Sequence, residues 1–279
     1  MTESIFKTAE GKKQLLDFYD RMIAASGLDI DETDVETSAG TTHVLSYGKA
    51  DLPPLVLLHG STSNAATWIS DFTVYAREFH VHAIDMPGEP GKSAETRMSW
   101  KNNEYPDWLL QVLDTLGLEK PSFVGLSLGG WVALKFASEY PKRTGNVALI
   151  APGGIATPNM GAIFKLVRYQ KEGQSGVEKT LKMLFPDDFD SPEVIEFFSL
   201  INSNFNTRVE AVPRLDDETI SRIRSHVYML CGAKDVLFNF KKAVRRLLKL
   251  LPKAEVQLYE KGTHGLVNMA EATLPFLLR

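Results

Sequence analysis

Short continuous apolar runs, Leu55 to Leu58, Phe79 to Ile84, Ser122 to Leu126, Asn146 to Ile150, Val227 to Cys231 and Glu255 to Tyr259, punctuate the chain. Runs so short and unalternating suit strands covered on both faces. Between several of them, apolar residues recur every three or four positions, predicting helices over Glu104 to Leu116, Leu128 to Tyr140 and Phe240 to Leu251. Strand and helix in alternation argue for an α/β fold with a parallel sheet and right-handed crossovers.

Upstream, Leu15, Phe18, Tyr19, Met22 and Ile23 describe an amphipathic helix that Gly27 interrupts. Two β-rich stretches between Val35 and Tyr47 flank Ala39-Gly40 and predict an antiparallel hairpin. From Gly153 to about Arg224 the alternation lapses, with no core strand and turn-rich Pro152-Gly153-Gly154 at its start. An interval of that length is expected to hold several short helices as an inserted lid. The expected organisation is a core over 1–152, including an N-terminal helix over 1–30, a helical cap over 153–225, and the rest of the core over 226–279.

Of the 279 residues, 31 are Lys or Arg and 35 are Asp or Glu, a net charge of −4. No global positive field exists to hold nucleic acid or an anionic membrane surface, so neither is an expected partner. The single cysteine, Cys231, cannot form an internal disulfide, and no apolar run reaches the roughly 18 residues of a membrane span. With no export-type N-terminal pattern, a cytoplasmic location is expected. The basic residues Lys241, Lys242, Arg245, Arg246 and Lys249 read as the solvated face of a helix whose leucines are buried.

Chemistry concentrates where a buried-strand pattern runs directly into a helical one, at Gly125-Leu126-Ser127-Leu128-Gly129. A serine on so sharp a strand-to-helix turn needs small residues two before and two after it, and its hydroxyl then projects off the sheet. The helix that follows offers its first N–H groups and positive dipole end to a developing oxyanion.

A serine hydroxyl becomes nucleophilic when a histidine takes its proton and a carboxylate fixes that histidine. His264 lies in the loop after the strand Glu255 to Tyr259, and Asp235 directly follows the strand Val227 to Cys231. Both therefore fall at the carboxyl edge of the sheet with Ser127, in the chain order Ser, Asp, His. His80 and His82 share a strand face without a third metal ligand and read as structural. His43 in the hairpin and His226 before a strand show no partner in the sequence. Asp187, Asp188, Asp216 and Asp217 fall in the lid and read as solvated or helix-capping. The strand Leu55 to Leu58 ends in His59-Gly60-Ser61-Thr62, whose Ser61 N–H is the expected second oxyanion donor beside Leu128 N–H, with His59 holding the loop. Asp85-Met86-Pro87-Gly88 reads as loop architecture at the same edge.

Taken together, His59-Gly60-Ser61-Thr62, Asp85-Met86-Pro87-Gly88, Gly125-Leu126-Ser127-Leu128-Gly129-Gly130, Gly232-Ala233-Lys234-Asp235 and Gly262-Thr263-His264-Gly265 resemble the α/β-hydrolase superfamily, in its branch of bacterial carboxylesterases and meta-cleavage product hydrolases. The resemblance spans residues 44–279. It implies an eight-stranded, mostly parallel sheet flanked by helices, with a helical cap after the sixth strand, and chemistry without a metal or cofactor. Ser127 stands where dehalogenases and epoxide hydrolases carry an aspartate, which argues against those chemistries. One departure stands out: Glu89-Pro90 follows Asp85-Met86-Pro87-Gly88, where relatives more often continue with a glycine-hydrophile-serine run. The first forty residues resemble no named module.

The expected function is cleavage of a small carboxylic ester through an acyl-enzyme. The alternatives are carbon–carbon bond hydrolysis of a vinylogous diketone and non-catalytic ligand binding or signalling on the same fold. Met160, Phe164, Phe185, Phe189, Phe197, Phe198 and Phe205 of the lid are either pocket lining or the cap's own core, and leave specificity open.

Overall fold

The computed structural model describes residues 4–186 and 191–279, so Asp187, Asp188 and Phe189 lie outside the described residues. Eight strands form one sheet in the order β1-β2-β4-β3-β5-β6-β7-β8. They are β1 (Asp31–Thr37), β2 (Gly40–Tyr47), β3 (Pro54–Leu58), β4 (His80–Ile84), β5 (Ser122–Leu126), β6 (Val147–Ile150), β7 (Val227–Gly232) and β8 (Glu255–Tyr259). Only β2 runs against the others, pairing antiparallel with β1 on one side and β4 on the other, and every pair from β4 onward in the sheet is parallel.

Alternation along each strand feeds two cores. In β3, Leu55 and Leu57 point into one layer, with α2 (Ile69–Tyr75) and α10 (Ala270–Leu277). Val56 and Leu58 point into the other, with α3 (Glu104–Thr115), α4 (Leu128–Glu139) and α9 (Phe240–Leu250). All four are fully buried, each burial contributing about 1.5–3 kcal/mol before conformational costs. β1 buries only Val35, and β8 buries none of its residues, which are exposed or half-buried throughout. Both lie at the edges of the sheet, outside the full cover of the helices that bury the central strands, and the reading of β8 as covered on both faces is corrected. Sequence periodicity also passed over α2 and α10, because each spans only about two turns.

Between β6 and β7 the described residues add no strand and instead form α5 (Met160–Tyr169), α6 (Gly173–Leu184), α7 (Pro192–Asn204) and α8 (Asp217–Ser221). The N-terminal helix α1 (Ala9–Ser26) packs on this excursion. Phe18 stacks on Phe197 with ring centroids 5.6 Å apart, and Phe6 pairs with Phe205 through an isolated bridge. Ile5, Phe6, Leu15, Phe18, Phe197, Ile201 and Phe205 make a third apolar cluster separate from the two sheet layers. Of the aromatics between β6 and β7, Phe197 and Phe205 are core and Phe198 packs against them, whereas Phe164 is 64% exposed.

Two charged-residue readings change. His43, without an evident partner in the sequence, bridges Asp34 at 2.7 Å and Glu32 at 3.0 Å on the neighbouring strand. Arg246 is not on a solvated face: its guanidinium is held by the Ile155 and Leu215 carbonyls at 2.6 and 2.7 Å and by Asp217. Asp216 caps α8 through the Thr219 N–H, as a helix-capping aspartate should. Among the described residues no helix is long and apolar enough to cross a membrane.

Candidate active site

Because β3, β5, β7 and β8 are parallel, the loops that follow them emerge along one edge of the sheet. Ser127 occupies the turn between β5 and α4 with φ 49° and ψ −104°, a conformation rarely adopted by a residue with a side chain. Strain of this kind persists only where the surroundings over-determine it. Here the Ser127 N–H donates to the Ile150 carbonyl at 2.9 Å, and the Ser127 carbonyl accepts from Gly153 N–H at 2.9 Å and Trp131 N–H at 3.2 Å.

The flanking glycines are required by close backbone approach. A methyl group on Gly125 would lie 2.5 Å from the Gly129 carbonyl oxygen, and one on Gly129 would run into the carbonyl of Leu58 on β3. Both obstacles are backbone, with no rotamer to escape through. Gly129→Ala is expected to destabilise the protein by about 3 kcal/mol or more, read as a lowered midpoint in urea denaturation, whereas a change below ~0.5 kcal/mol would show that β3 and α4 have room to part.

His264 brings its Nε2 to 3.0 Å from Ser127 Oγ and its Nδ1 to 2.9 Å from Asp235 Oδ2. An ionised carboxylate only accepts, so the proton sits on Nδ1 and the Nε2 lone pair faces the hydroxyl. Asp235 is itself fixed: Oδ1 accepts from Leu237 N–H at 2.7 Å and Phe238 N–H at 3.1 Å, and its side chain is 4% exposed. The three residues read from separate motifs therefore form a continuous hydrogen-bonded relay, the chemistry needed to activate a hydroxyl for attack on an electrophilic carbon. Cys231 does not compete as a nucleophile, because burial in β7 pushes its thiol up to about 11.

Leu128 opens α4, so its N–H has no carbonyl one turn behind it. On the opposite side the 59–62 loop presses against the elbow: a methyl on Gly60 would sit 3.7 Å from Ser127 Cβ. His59 is buried and its two ring nitrogens are both engaged, Nδ1 with the Gly60 carbonyl at 2.8 Å and Nε2 with the Met86 N–H at 3.0 Å. The Met86 N–H can only donate, so Nε2 accepts and Nδ1 carries the proton. Burial holds the ring below the ordinary histidine range, which keeps this arrangement neutral. Asp85 ties the neighbouring loops by accepting from Ala65 N–H at 2.6 Å and Lys92 N–H at 2.8 Å. His80 and His82 meet edge to face with ring centroids 4.2 Å apart, His82 is bonded to Ser46, and no group of three metal-ligating side chains exists among the described residues.

Sequence reasoning passed over two neighbours of His264. The Phe238 ring lies 5.7 Å from the imidazole. The Leu184 carbonyl, at the end of α6, accepts from Thr263 Oγ1 and from Gly265 N–H, each at 2.7 Å, clamping both residues that flank the histidine. A carbonyl acceptor carries no residue-type signal, so nothing in the sequence marks Leu184. Phe238 carries only the signal of an apolar residue three positions after Asp235.

Residues 55–274 match the model of the alpha/beta hydrolase family. Among curated proteins, the uncharacterised carboxylesterase nap of Bacillus subtilis (strain 168) is 28% identical over 240 residues, covering 83% of this chain and 80% of its own. Naproxen esterase (carboxylesterase NP) from Bacillus subtilis superposes with a TM-score of 0.86 at 24% identity, covering 98% of both chains. The 2-hydroxy-6-oxo-6-phenylhexa-2,4-dienoate hydrolase BphD from Rhodococcus sp. strain RHA1 superposes at 0.70 with 23% identity, over 90% of this chain and 98% of that one. The two superpositions speak to fold. The family match covers most of the chain, including the elbow serine, the following aspartate and the last-loop histidine, and the protein is a member of the alpha/beta hydrolase family.

Proposed function

We propose that this protein is a serine hydrolase of the carboxylesterase type that cleaves small carboxylic esters through an acyl-enzyme. The observation that carries this reading is the relay from Ser127 Oγ through His264 to Asp235, at 3.0 and 2.9 Å, mounted on a strained elbow at the carboxyl edge of the sheet. Likeness to the carboxylesterase relatives supports it.

In the proposed sequence Ser127 Oγ attacks the ester carbonyl carbon as its proton passes to His264 Nε2. The oxyanion is held by the N–H groups of Ser61 and Leu128. His264 then protonates the departing alkoxide, leaving an acyl group on Ser127. A water molecule, deprotonated by His264, attacks that acyl carbon and releases the acid, and the proton returns to Ser127. Asp235 orients the ring and stabilises the imidazolium at each stage. Residues 1–152 and 226–279 form the hydrolase core in this reading, and 153–225 is the cap over the substrate.

Labelling with a fluorophosphonate probe tests the nucleophile. Stoichiometric modification at Ser127 is expected, and an unreactive folded protein would point to the binding-module alternative. Turnover of p-nitrophenyl esters measured against a vinylogous diketone separates ester from carbon–carbon hydrolysis, with the ester expected to be the better substrate.

A further inference from the structure

Glu89, the residue that departs from the family pattern, has an unusual place in the site. It is buried, 7% exposed, and its Oε2 accepts the Thr62 N–H at 2.6 Å. Thr62 has φ 56°, a left-handed conformation that a β-branched residue rarely adopts without external support. Ser61, whose N–H is the proposed oxyanion donor, is therefore bracketed. The carbonyl before it, on Gly60, is held by His59, and the N–H after it, on Thr62, is held by Glu89.

We propose that Glu89 is a positioning residue for the oxyanion hole, its carboxylate holding the Ser61–Thr62 peptide so that the Ser61 N–H aims at the carbonyl under attack. This rests on the ester-hydrolase reading. A backbone N–H held at 2.6 Å by a buried acceptor of the right reach gives the strained turn the external support it needs to persist.

The carboxylate is kept against a stability cost. Among the described residues it has no direct ion-pair partner; Arg97 and Arg208 act on it from a distance, and Tyr105 lies close enough to feel its charge. Burial pushes its carboxyl from 4.5 up to about 7. An unfolded chain would ionise it sooner, so the fold loses stability as pH rises from about 4.5 through 7. Replacing Glu89 by an uncharged residue of the same size is expected to raise the melting temperature at pH 8 relative to wild type, the gain vanishing near pH 4.5.

Three substitutions separate reach from charge. Glu89→Asp keeps the charge but falls one methylene short of Thr62, Glu89→Gln keeps an acceptor oxygen at full reach without the charge, and Glu89→Ala has neither. With p-nitrophenyl ester as substrate, Glu89→Asp and Glu89→Ala are expected to lower kcat about 10- to 100-fold, with KM within about twofold, because the lost contact acts on the transition state. Glu89→Gln should stay within about fivefold of wild type. If Glu89→Ala does not fold, the Asp and Gln pair decides. Full kcat in Glu89→Asp, a loss confined to KM, or a Gln variant as impaired as Asp would each overturn the proposal. Wild-type protein that takes up no fluorophosphonate at Ser127 overturns the hydrolase reading and this proposal with it. Labelling at Ser127 combined with unimpaired Glu89 variants overturns this proposal alone.

Discussion

Ser127→Ala is expected to lower ester turnover by about a millionfold, the scale observed when a hydrolase loses its triad nucleophile. That corresponds to about 8 kcal/mol of lost transition-state stabilisation. The size follows from the geometry: Oγ is the atom facing the His264 Nε2 lone pair at 3.0 Å, and alanine offers nothing to form the acyl bond. Fold should be preserved, because the strained backbone at 127 is held by main-chain hydrogen bonds to Ile150, Gly153 and Trp131 that the substitution does not touch. Steady-state hydrolysis of a short p-nitrophenyl ester, paired with a melting curve, measures both. Activity within tenfold of wild type in a folded variant would remove Ser127 from the mechanism.

Asp235→Asn should be the next most damaging change, lowering kcat about 10⁴-fold with little effect on the melting temperature. The asparagine oxygen can still accept the Leu237 and Phe238 N–H groups, which leaves its amide nitrogen facing His264 Nδ1. Two donors cannot share that contact. The ring proton is driven to Nε2, where it points at Ser127 and blocks proton uptake. Nearly full kcat in this variant would mean that the ring is oriented by other contacts, such as the Leu184 clamp on Thr263 and Gly265.

The two changes act on different parts of one relay, so their effects should not add. Once Ser127 is gone, the tautomer of His264 no longer matters, and the double variant is expected to match Ser127→Ala alone.

Much of this arrangement was legible in the amino-acid order. A strand pattern that runs without pause into a helix, with glycines two before and two after a serine, marks the elbow from steric needs that are local to a few residues. The order of the apolar runs likewise places the loops carrying His59, Asp235 and His264 at one edge, since parallel strands present their following loops on the same side. The partner of α1 was not legible. Phe18 and Phe197 are 179 positions apart, and their stacking depends on where a four-helix excursion returns over the core. The pairing of His43 with Asp34 and Glu32 needed the register of the hairpin, which one residue of slip would reverse.

Sequence by itself thus determined the class of fold, the elbow at Ser127 and the set of side chains from which a relay could be drawn, because those depend on periodicity and on contacts within a turn or two of the chain. Tertiary structure alone decided that His264 meets both Ser127 and Asp235, that Leu184 clamps the histidine loop, and that Glu89 lies buried against Thr62. Each of these is a long-range approach of a few ångströms. Its existence depends on how separate crossovers close on one sheet, and no local pattern encodes that distance.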